Sequence, residues 1–271
     1  MVVTKNQIIA ALKQLGISIN DCVVVHSSLS SLGYVEGGID TVIDAFLEVL
    51  GSEGTLVMPT LCQKEKDRRF ETWNIKESPS DVGKITETFR LRPSSIRSDH
   101  PTHSVAARGP LAVEITRGHK IASGRPGPWG GAAFGKGSPW EKLYDFDAKI
   151  VLVGVDFRVN TMVHFIEHRI VEQAISHIPA DRRQTFLDKV HDWNKPGVWS
   201  GFDRLKLQGE CDKLGLISRV RCGNAMSMMV STKALVDNAV RIMEADPRSW
   251  FSEEFCLWSA VSLPEMGIQE E

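Results

Sequence analysis

Three side chains capable of acid–base or metal-binding chemistry, His164, Glu167 and His168, lie within five residues of one another. A helix advances about 100° per residue, so their spacing would place them on one face. Such a face can present a histidine base that a carboxylate one turn away orients. It also matches H-x-x-E-H, the pattern of inverted zinc peptidases. A third interpretation is a structural one, with one core and one surface histidine.

The residues before this face predict a strand, a loop and a helix in that order. Residues 149–155 form an apolar run, rich in β-branched residues and too short for a helix, which is typical of a buried strand. Asn160 or Thr161 can cap the helix that follows. In open α/β sheets, ligands bind in the loops at the carboxyl ends of strands. We therefore expect a binding site at this loop.

Length and composition predict the fold class. The chain has 271 residues, 42% of them hydrophobic, and a net charge of -2. Helix-like and strand-like segments alternate along it, which predicts one α/β domain over residues 1–271. We expect a central, mostly parallel or mixed sheet flanked by helices. A less regular C-terminal subregion is expected as an insertion at residues 181–215.

The same numbers disfavour several classes of protein. A near-neutral charge argues against a nucleic-acid-binding protein. The sequence contains neither an apolar run of membrane-spanning length nor a secretion signal at its start. Its five cysteines are scattered and odd in number, and they form no C-x-x-C motif, which argues against a disulfide framework or a thiolate zinc site. We therefore expect a cytoplasmic protein.

A hydroxyl-rich loop follows another predicted strand, at residues 21–26. It contains Ser27, Ser28, Ser30 and Ser31 and precedes a predicted helix. Backbone N–H groups and hydroxyls in such a loop can bind a phosphate group. The loop matches neither the G-x-x-x-x-G-K-[ST] nor the G-x-G-x-x-G pattern. A plain polar turn is the other interpretation.

Two further segments are long for connections inside a domain. Residues 60–80, which include Trp73, have the length of a lid or binding loop, or of a solvated excursion. Residues 118–137 contain seven glycines and two prolines around Trp129, which predicts an irregular loop. Between these segments, Ser80 is predicted to cap a helix.

Four motifs occur in a fixed order along the chain. They are His26-Ser27-Ser28-Leu29-Ser30-Ser31-Leu32-Gly33, His100-Pro101-Thr102-His103-Ser104-Val105-Ala106-Ala107-Arg108-Gly109, Gly137-Ser138-Pro139-Trp140 and Asn160-Thr161-Met162-Val163-His164-Phe165-Ile166-Glu167. With these motifs, over about residues 5–245, the chain resembles the aminoglycoside 3-N-acetyltransferase family. The resemblance implies an α/β fold unrelated to the commoner acetyltransferase superfamily. It also implies direct transfer of an acyl group from coenzyme A to an amine.

The resemblance also implies roles for single residues. His164 would be the base that takes a proton from the attacking amine, and Glu167 would fix its orientation. Thr161 lies where the family places a hydroxyl near the thioester, so it could stabilise the developing oxyanion. No metal ion is then expected, and His168 completes the zinc pattern by coincidence. The predicted contacts to acetyl-coenzyme A or a longer acyl-coenzyme A are Ser27, Ser28, Leu29, Ser30, Ser31, Ser104 and Val105.

The charges of the chain predict the acceptor. Enzymes for polycationic aminoglycosides tend to be acidic, as Coulomb attraction would explain, whereas this chain is near neutral. Arginine suits phosphate through its planar fork. We therefore expect a nucleotide-linked amino sugar, such as a dTDP- or UDP-linked 3-amino sugar. Arg158 stands where the family has an aspartate, and further basic residues occur nearby at Arg68, Arg69, Arg92, Arg97, Lys120 and Arg125. The predicted acceptor contacts are Arg158, Asn160, Trp73 and Trp129.

Three other functions stay open at this point. An aminoglycoside acceptor would make the protein an antibiotic-resistance enzyme. The H-x-x-E-H pattern would make it a zinc hydrolase. A noncatalytic coenzyme A-binding module would keep the binding residues without a base. We expect small-molecule partners without nucleic acid or membrane, and the oligomeric state is left open, with a homodimer among the candidates.

Overall fold

A mixed β-sheet forms the centre of the protein. The computed structural model describes residues 2–62, 69–122 and 127–262. Within these residues, seven strands form a sheet in the order β5-β6-β4-β2-β7-β9-β8, and β1 and β3 form a small parallel pair. The strands are β1 (Val2–Val3), β2 (Cys22–Ser27), β3 (Tyr34–Val35), β4 (Thr55–Pro59), β5 (Ile96–Arg97), β6 (Val105–Arg108), β7 (Lys149–Val153), β8 (Ser218–Cys222) and β9 (Ala225–Ser231).

Helices cover both faces of this sheet. They are α1 (Lys5–Gln14), α2 (Leu29–Leu32), α3 (Gly38–Leu50), α4 (Arg69–Thr72), α5 (Lys84–Leu91), α6 (Ala112–Thr116), α7 (Pro139–Asp145), α8 (Met162–Ser176), α9 (Arg183–Leu187), α10 (Arg204–Lys213), α11 (Thr232–Ala245) and α12 (Glu253–Ser262). Short 3-10 helices span His119–Ile121, Phe157–Val159 and Pro247–Ser249. The predicted α/β class, with a mixed sheet flanked by helices, is confirmed.

The centre of the sheet is parallel and its flanks are antiparallel. Strand β2 pairs in parallel with β4 and with β7, whereas β6 and β9 add to the outer sides in antiparallel register. The carboxyl ends of β4, β2 and β7 therefore meet at one edge, together with the amino end of β6. Loops from all four strands can reach one another at that edge.

The central strands are nearly continuous apolar runs because both of their faces are covered. Side chains alternate between the faces of a strand. Val24 of β2 thus packs into the core on one face, with Ile150 of β7, while Val23 and Val151 pack into the core on the other face. These side chains are fully buried. The two cores clamp the sheet and fix the positions of its strand ends.

Three predictions of local structure differ, wholly or in part, from the structure. Ser80 does not cap α5, which begins at Lys84 after Gly83; the Ser80 hydroxyl pairs with Thr86 at 2.8 Å instead. Residues 60–80 include the short helix α4 and so are not wholly loop. Residues 181–215 are irregular in part but include α9 and the ten-residue helix α10.

The described residues contain no helix that is both long enough and apolar enough to cross a bilayer.

The turn after β7 makes a prediction about stability. Gly154 has a φ of +65°, and a Cβ at this position would overlap the Ser31 hydroxyl. Gly154→Ala should lower the free energy of unfolding by about 2 kcal/mol or more, because left-handed backbone and overpacking each cost about 1 kcal/mol or more. Urea denaturation would measure the change. Gly131→Ala is the control, since its Cβ would meet nothing within 4 Å, and an equal loss in both variants would contradict this account.

Candidate active site

A cleft of about 510 Å³ opens at the edge where the parallel strands end. Its described wall comes from the ends of β2 and β4, the loop after β7, the start of α8, and single residues of α5 and α10. The lining residues that carry polar side chains are His26, Ser27, Thr86, His103, Trp129, Arg158, Asn160, Thr161, His164 and Arg204. The predicted position of the site, at strand carboxyl ends, thus coincides with a cleft.

His164 and Glu167 form a buried pair in the first turns of α8. Their side chains are 9% and 5% exposed, and His164 Nδ1 lies 2.8 Å from Glu167 Oε2. Two residues outside the helix fix the glutamate. Trp199 Nε1 donates to the same carboxylate oxygen at 3.1 Å, and the Ser200 hydroxyl donates to the Glu167 carbonyl at 2.7 Å. The pair is therefore positioned by the fold as well as by its own helix.

The charge of Glu167 determines the tautomer of His164. Burial by itself raises the pKa of Glu167, but the charge and hydrogen bond of His164, the indole of Trp199 and the charge of Arg204 outweigh burial, and the pKa is lowered. An ionised carboxylate only accepts hydrogen bonds. His164 Nδ1 must therefore carry the proton, and in the neutral ring Nε2 keeps its lone pair.

Arg204 lies on the other side of the same ring. Its Nη2 is 3.3 Å from His164 Nε2, and its Nη1 donates to the Arg158 carbonyl at 2.7 Å. A guanidinium has no acceptor, so Nε2 accepts this hydrogen bond. We did not predict Arg204 from the sequence. Asp203, which caps α10, was the signal that could have revealed a helix here.

Aromatic rings enclose the imidazole of His164. The ring of Trp129 lies 4.1 Å from it, centroid to centroid, and the rings of Phe134 and His103 each lie 5.6 Å away. His164 is 7% exposed. The base candidate is thus buried among aromatic rings at the wall of the cleft, where electrostatic interactions are stronger than in water.

The loop after β7 brings three predicted residues to the cleft. Asn160 is fully buried, and its Oδ1 caps α8 by accepting from the Met162 N–H at 3.1 Å. Thr161 is 7% exposed, makes no capping bond and lines the cleft. The Arg158 side chain is 70% exposed and pairs with Asp156 at 2.7 Å. Contacts of these residues with a substrate stay predictions.

The serine-rich loop contributes Ser27 to the described cleft wall. The Ser31 hydroxyl instead donates to the Ser28 carbonyl at 2.7 Å, and the hydroxyls of Ser28 and Ser30 lie 3.1 Å apart. Leu29 packs against the core. These bonds shape a tight turn beside the cleft, and the predicted coenzyme A contacts of the loop stay predictions.

Three other predicted contacts lie away from the described cleft wall. The Ser104 hydroxyl donates to the Thr60 carbonyl at 2.8 Å, and Val105 is fully buried in β6. Trp73 Nε1 donates to Asp99 at 2.8 Å, and the Arg97 guanidinium carbon lies over the Trp73 ring, 4.5 Å from its centroid. Because protein partners already engage these side chains, a direct ligand contact would require rearrangement.

Several of the basic residues that favoured an anionic acceptor are engaged elsewhere. Arg92 forms ion pairs with Asp40 and Asp44. Arg97 donates to backbone carbonyls, that of Thr60 among them at 2.5 Å. In this arrangement both guanidinium groups already have protein partners, so a phosphate contact at either one stays a prediction. Lys120 lies 3.7 Å from Asp99. Arg68, Arg125 and the side chain of Arg69 lie outside the described residues.

Four buried polar atoms of the cleft wall have no hydrogen-bond partner within the described part of the chain. They are His26 Nε2, Ser27 Oγ, Trp129 Nε1 and Asn160 Nδ2. Buried polar atoms in native proteins are nearly always paired, so such a concentration indicates a place where a polar ligand binds. Burial lowers the pKa of His26 to about 4, which leaves its ring neutral at pH 7. His26 was not among the predicted site residues.

His168 is a separate, buried group. It is 2% exposed, and neither ring nitrogen has a partner among the described residues. In that same part of the chain, no three His, Cys, Asp or Glu side chains lie together as a metal site would require. The described residues therefore contain no cluster of the kind that the H-x-x-E-H interpretation needs.

The buried histidines predict a loss of stability in acid. Burial lowers the pKa of His168 to about 4, so its folded form binds a proton less readily than an unfolded histidine with a pKa near 6.5. The stabilisation is complete above pH 6.5 and is lost as the pH falls to about 4, with about 2 kcal/mol lost by pH 5. His168→Gln, which does not titrate, should reduce the difference in unfolding free energy between pH 7.5 and pH 5 by that amount. Urea denaturation at both pH values would measure it.

His177→Gln is the matched control, because His177 is exposed at the end of the same helix. It should leave the pH difference unchanged. If His168→Gln loses as much unfolding free energy between pH 7.5 and pH 5 as the wild-type protein does, His168 is not the group responsible.

Comparison with known proteins assigns the family. The profile of the family described as aminoglycoside 3-N-acetyltransferase matches residues 24–244. An aminoglycoside N(3')-acetyltransferase-like protein of Bacillus subtilis, YokD, is 35% identical over 192 residues, which are 64% of this chain and 67% of that protein. Aminoglycoside N(3)-acetyltransferase III of Serratia marcescens is 33% identical over 199 residues, 68% of each chain. The chain thus spans about two thirds of the length of these relatives.

Solved structures have the same fold. The crystal structure of YokD superposes with a TM-score of 0.70 at 26% identity, over 91% of this chain and 95% of that chain. The structure of AAC-IIIb in a binary complex with CoASH gives a TM-score of 0.72 at 22% identity, over 90% and 97% of the two chains. Sequence and fold agree: the chain belongs to the aminoglycoside 3-N-acetyltransferase family, which is a family of N-acyltransferases.

Proposed function

We propose that this protein transfers the acyl group of acetyl-coenzyme A, or of a longer acyl-coenzyme A, to the amine of an amino sugar. The observation that carries the proposal is the His164–Glu167 pair at 2.8 Å, which leaves the Nε2 lone pair directed into the cleft. A base must be within hydrogen-bond reach of the proton that it removes. An amine bound in the cleft reaches this lone pair when it replaces Arg204 Nη2, which lies 3.3 Å from Nε2.

The reaction exchanges a C–S bond for a C–N bond and moves one proton from the amine to His164 and one to the leaving thiolate. The amine nitrogen attacks the carbonyl carbon of the thioester and forms the new C–N bond, while His164 Nε2 takes a proton from that nitrogen. The C–S bond then breaks, and the thiolate leaves and is protonated by the imidazolium or by water. The products are the amide and free coenzyme A.

Glu167 and Thr161 assist this step. The ionised Glu167 holds the ring in the tautomer that can accept a proton, and it stabilises the imidazolium as that cation forms. Thr161 lines the cleft at the start of the same helix. It can donate to the oxygen on which negative charge develops.

The cleft wall fits an acyl-coenzyme A substrate. Such a donor is rich in amide and phosphate groups, and the cleft is lined by His26, Ser27, Trp129 and Asn160, each with one buried polar atom that no described residue pairs. AAC-IIIb, which has the same fold, was solved with CoASH bound. These residues would bind and orient the donor, and the aromatic wall around His164 would exclude water that could hydrolyse the thioester.

An aminoglycoside is the acceptor that the comparisons support best. The relatives from Bacillus subtilis and Serratia marcescens are both named for aminoglycosides. Acetylation of such an antibiotic at its 3-amino group would make this protein a resistance enzyme.

An amino sugar that carries phosphate, such as a nucleotide-linked sugar, is the second candidate. It is favoured by one observation: among the described residues of the cleft wall, the charged side chains Arg158 and Arg204 are both cationic, and the neighbouring carboxylate of Asp156 is paired with Arg158 and leaves Arg204 as the cation that a ligand would meet. A polycation would meet like charge there, whereas a phosphate would meet donors.

The first test removes the base. His164→Ala should lower kcat by about 10²–10⁴-fold, because a positioned general base contributes that much. Release of the coenzyme A thiol would report turnover, and calorimetry would report coenzyme A binding, which should persist. His168→Gln, one turn further along α8, should keep most of its activity.

Turnover of His164→Ala at the wild-type rate would remove the proposed mechanism. Loss of coenzyme A binding together with activity would instead indicate that the substitution damaged the cleft.

A second test addresses the oxyanion. Thr161→Val keeps the shape of the side chain and removes its hydroxyl, and it should lower kcat by about 10²-fold with little change in KM, because the lost hydrogen bond forms mainly in the transition state. Thr161→Ser restores the hydroxyl and should recover most of the rate. Equal rates for the valine and serine variants would assign Thr161 no part in catalysis.

A further inference from the structure

Arg204 donates a hydrogen bond to His164 Nε2, the nitrogen that would act as the base in the proposed reaction. Its Nη2 donates to His164 Nε2 at 3.3 Å, and the proposed reaction delivers the proton of the amine to that same lone pair. An incoming amine must therefore take the place of this guanidinium nitrogen. Arg204 consequently lies beside the reacting nitrogen in any productive complex.

The position of Arg204 is fixed by backbone contacts. Its Nη1 donates to the Arg158 carbonyl at 2.7 Å, and Gln208, one turn later on α10, accepts from the Phe157 N–H at 3.1 Å. These two bonds tie α10 to the loop after β7. The guanidinium can thus turn away from Nε2 while the Nη1 bond to the Arg158 carbonyl keeps it at the side of the cleft where His164 lies.

The charge of Arg204 is not balanced on the cleft side by a described carboxylate. Asp156 is paired with Arg158, and the Asp203 carboxylate caps α10 through the N–H groups of Leu205 and Lys206. Glu167 lies behind the imidazole, 4% exposed, and is bonded to its far nitrogen. The site therefore presents positive charge next to the place of reaction.

We propose that Arg204 determines acceptor specificity by binding an anionic group, a phosphate or a carboxylate, that lies beside the reacting amine. The planar fork of arginine matches both anions with two parallel hydrogen bonds. A second ammonium group at the same place would be repelled. This inference rests on the acyl-transfer function proposed above and selects the second of its two acceptor candidates.

The test compares two sugars that differ by one phosphate. Glucosamine and glucosamine 1-phosphate carry the same amine, and in the latter the phosphate is on the adjacent carbon. For the wild-type protein, kcat/KM should be higher with glucosamine 1-phosphate than with glucosamine, mainly because KM is lower. Arg204→Gln should reduce the ratio of the two kcat/KM values at least tenfold. Turnover of a polycationic aminoglycoside should rise in the same variant. Lys206→Gln is the matched control, because its side chain, on the same helix, contacts Ser249 and Trp250 and should leave the preference unchanged.

Calorimetric binding of the two sugars gives a readout that needs no turnover. An equal preference in wild type and Arg204→Gln would overturn the inference, whereas turnover that depends on His164 would still support the proposed function. Weaker coenzyme A binding in Arg204→Gln, with the sugar preference unchanged, would assign the arginine to the phosphates of the donor and also overturn it. If wild-type protein binds the phosphorylated sugar more tightly and Arg204→Gln does not, but no acyl transfer occurs, the proposed function fails and the anion site stands.

Discussion

The site depends on the hydrogen bond between His164 Nδ1 and Glu167 Oε2, because it determines which ring nitrogen carries a proton. A buried carboxylate is costly unless it is paired and hydrogen-bonded. Here the imidazole and the Trp199 indole both donate to the carboxylate, and its pKa is lowered in spite of burial. The cost of burying Glu167 is thereby offset, and a base with its lone pair directed into the cleft results.

This bond can act only because the sheet brings other groups to it. The parallel centre of the sheet places the ends of β2, β4 and β7 at one edge, and both cores hold those ends in register. Polar atoms of His26, Ser27 and Asn160 lie at this edge without a hydrogen-bond partner among the described residues. Unpaired polar atoms are unfavourable in the free protein, so they are consistent with a cleft shaped for a polar substrate. The base and the binding atoms are thus products of one topological feature.

Much of the fold and part of the site could be predicted from local sequence. The apolar, β-branched run at residues 149–155 determines a buried strand almost by itself. The spacing of His164 and Glu167 places them on one helical face whatever surrounds the helix, because three residues make nearly one turn. The position of the site at the strand ends followed from the strand–loop–helix order. These features depend on neighbours within a few residues, which the sequence displays directly.

Tertiary structure decided what the charged residues do. Arg92 and Arg97 read as free cations in the sequence, yet Arg92 pairs with carboxylates of α3, and Arg97 supports the loops around Thr60. Arg204 and Trp199 contact the His164–Glu167 pair from 40 and 32 residues away. Long-range partners of this kind arise from how the sheet and helices pack, and no local pattern specifies them. The sequence by itself determined that His164 and Glu167 lie one helical turn apart, where they can act as a base and its orienting carboxylate. Only the packed structure decided which arginine lies beside them, because side chains distant in the chain meet only after the whole sheet has assembled.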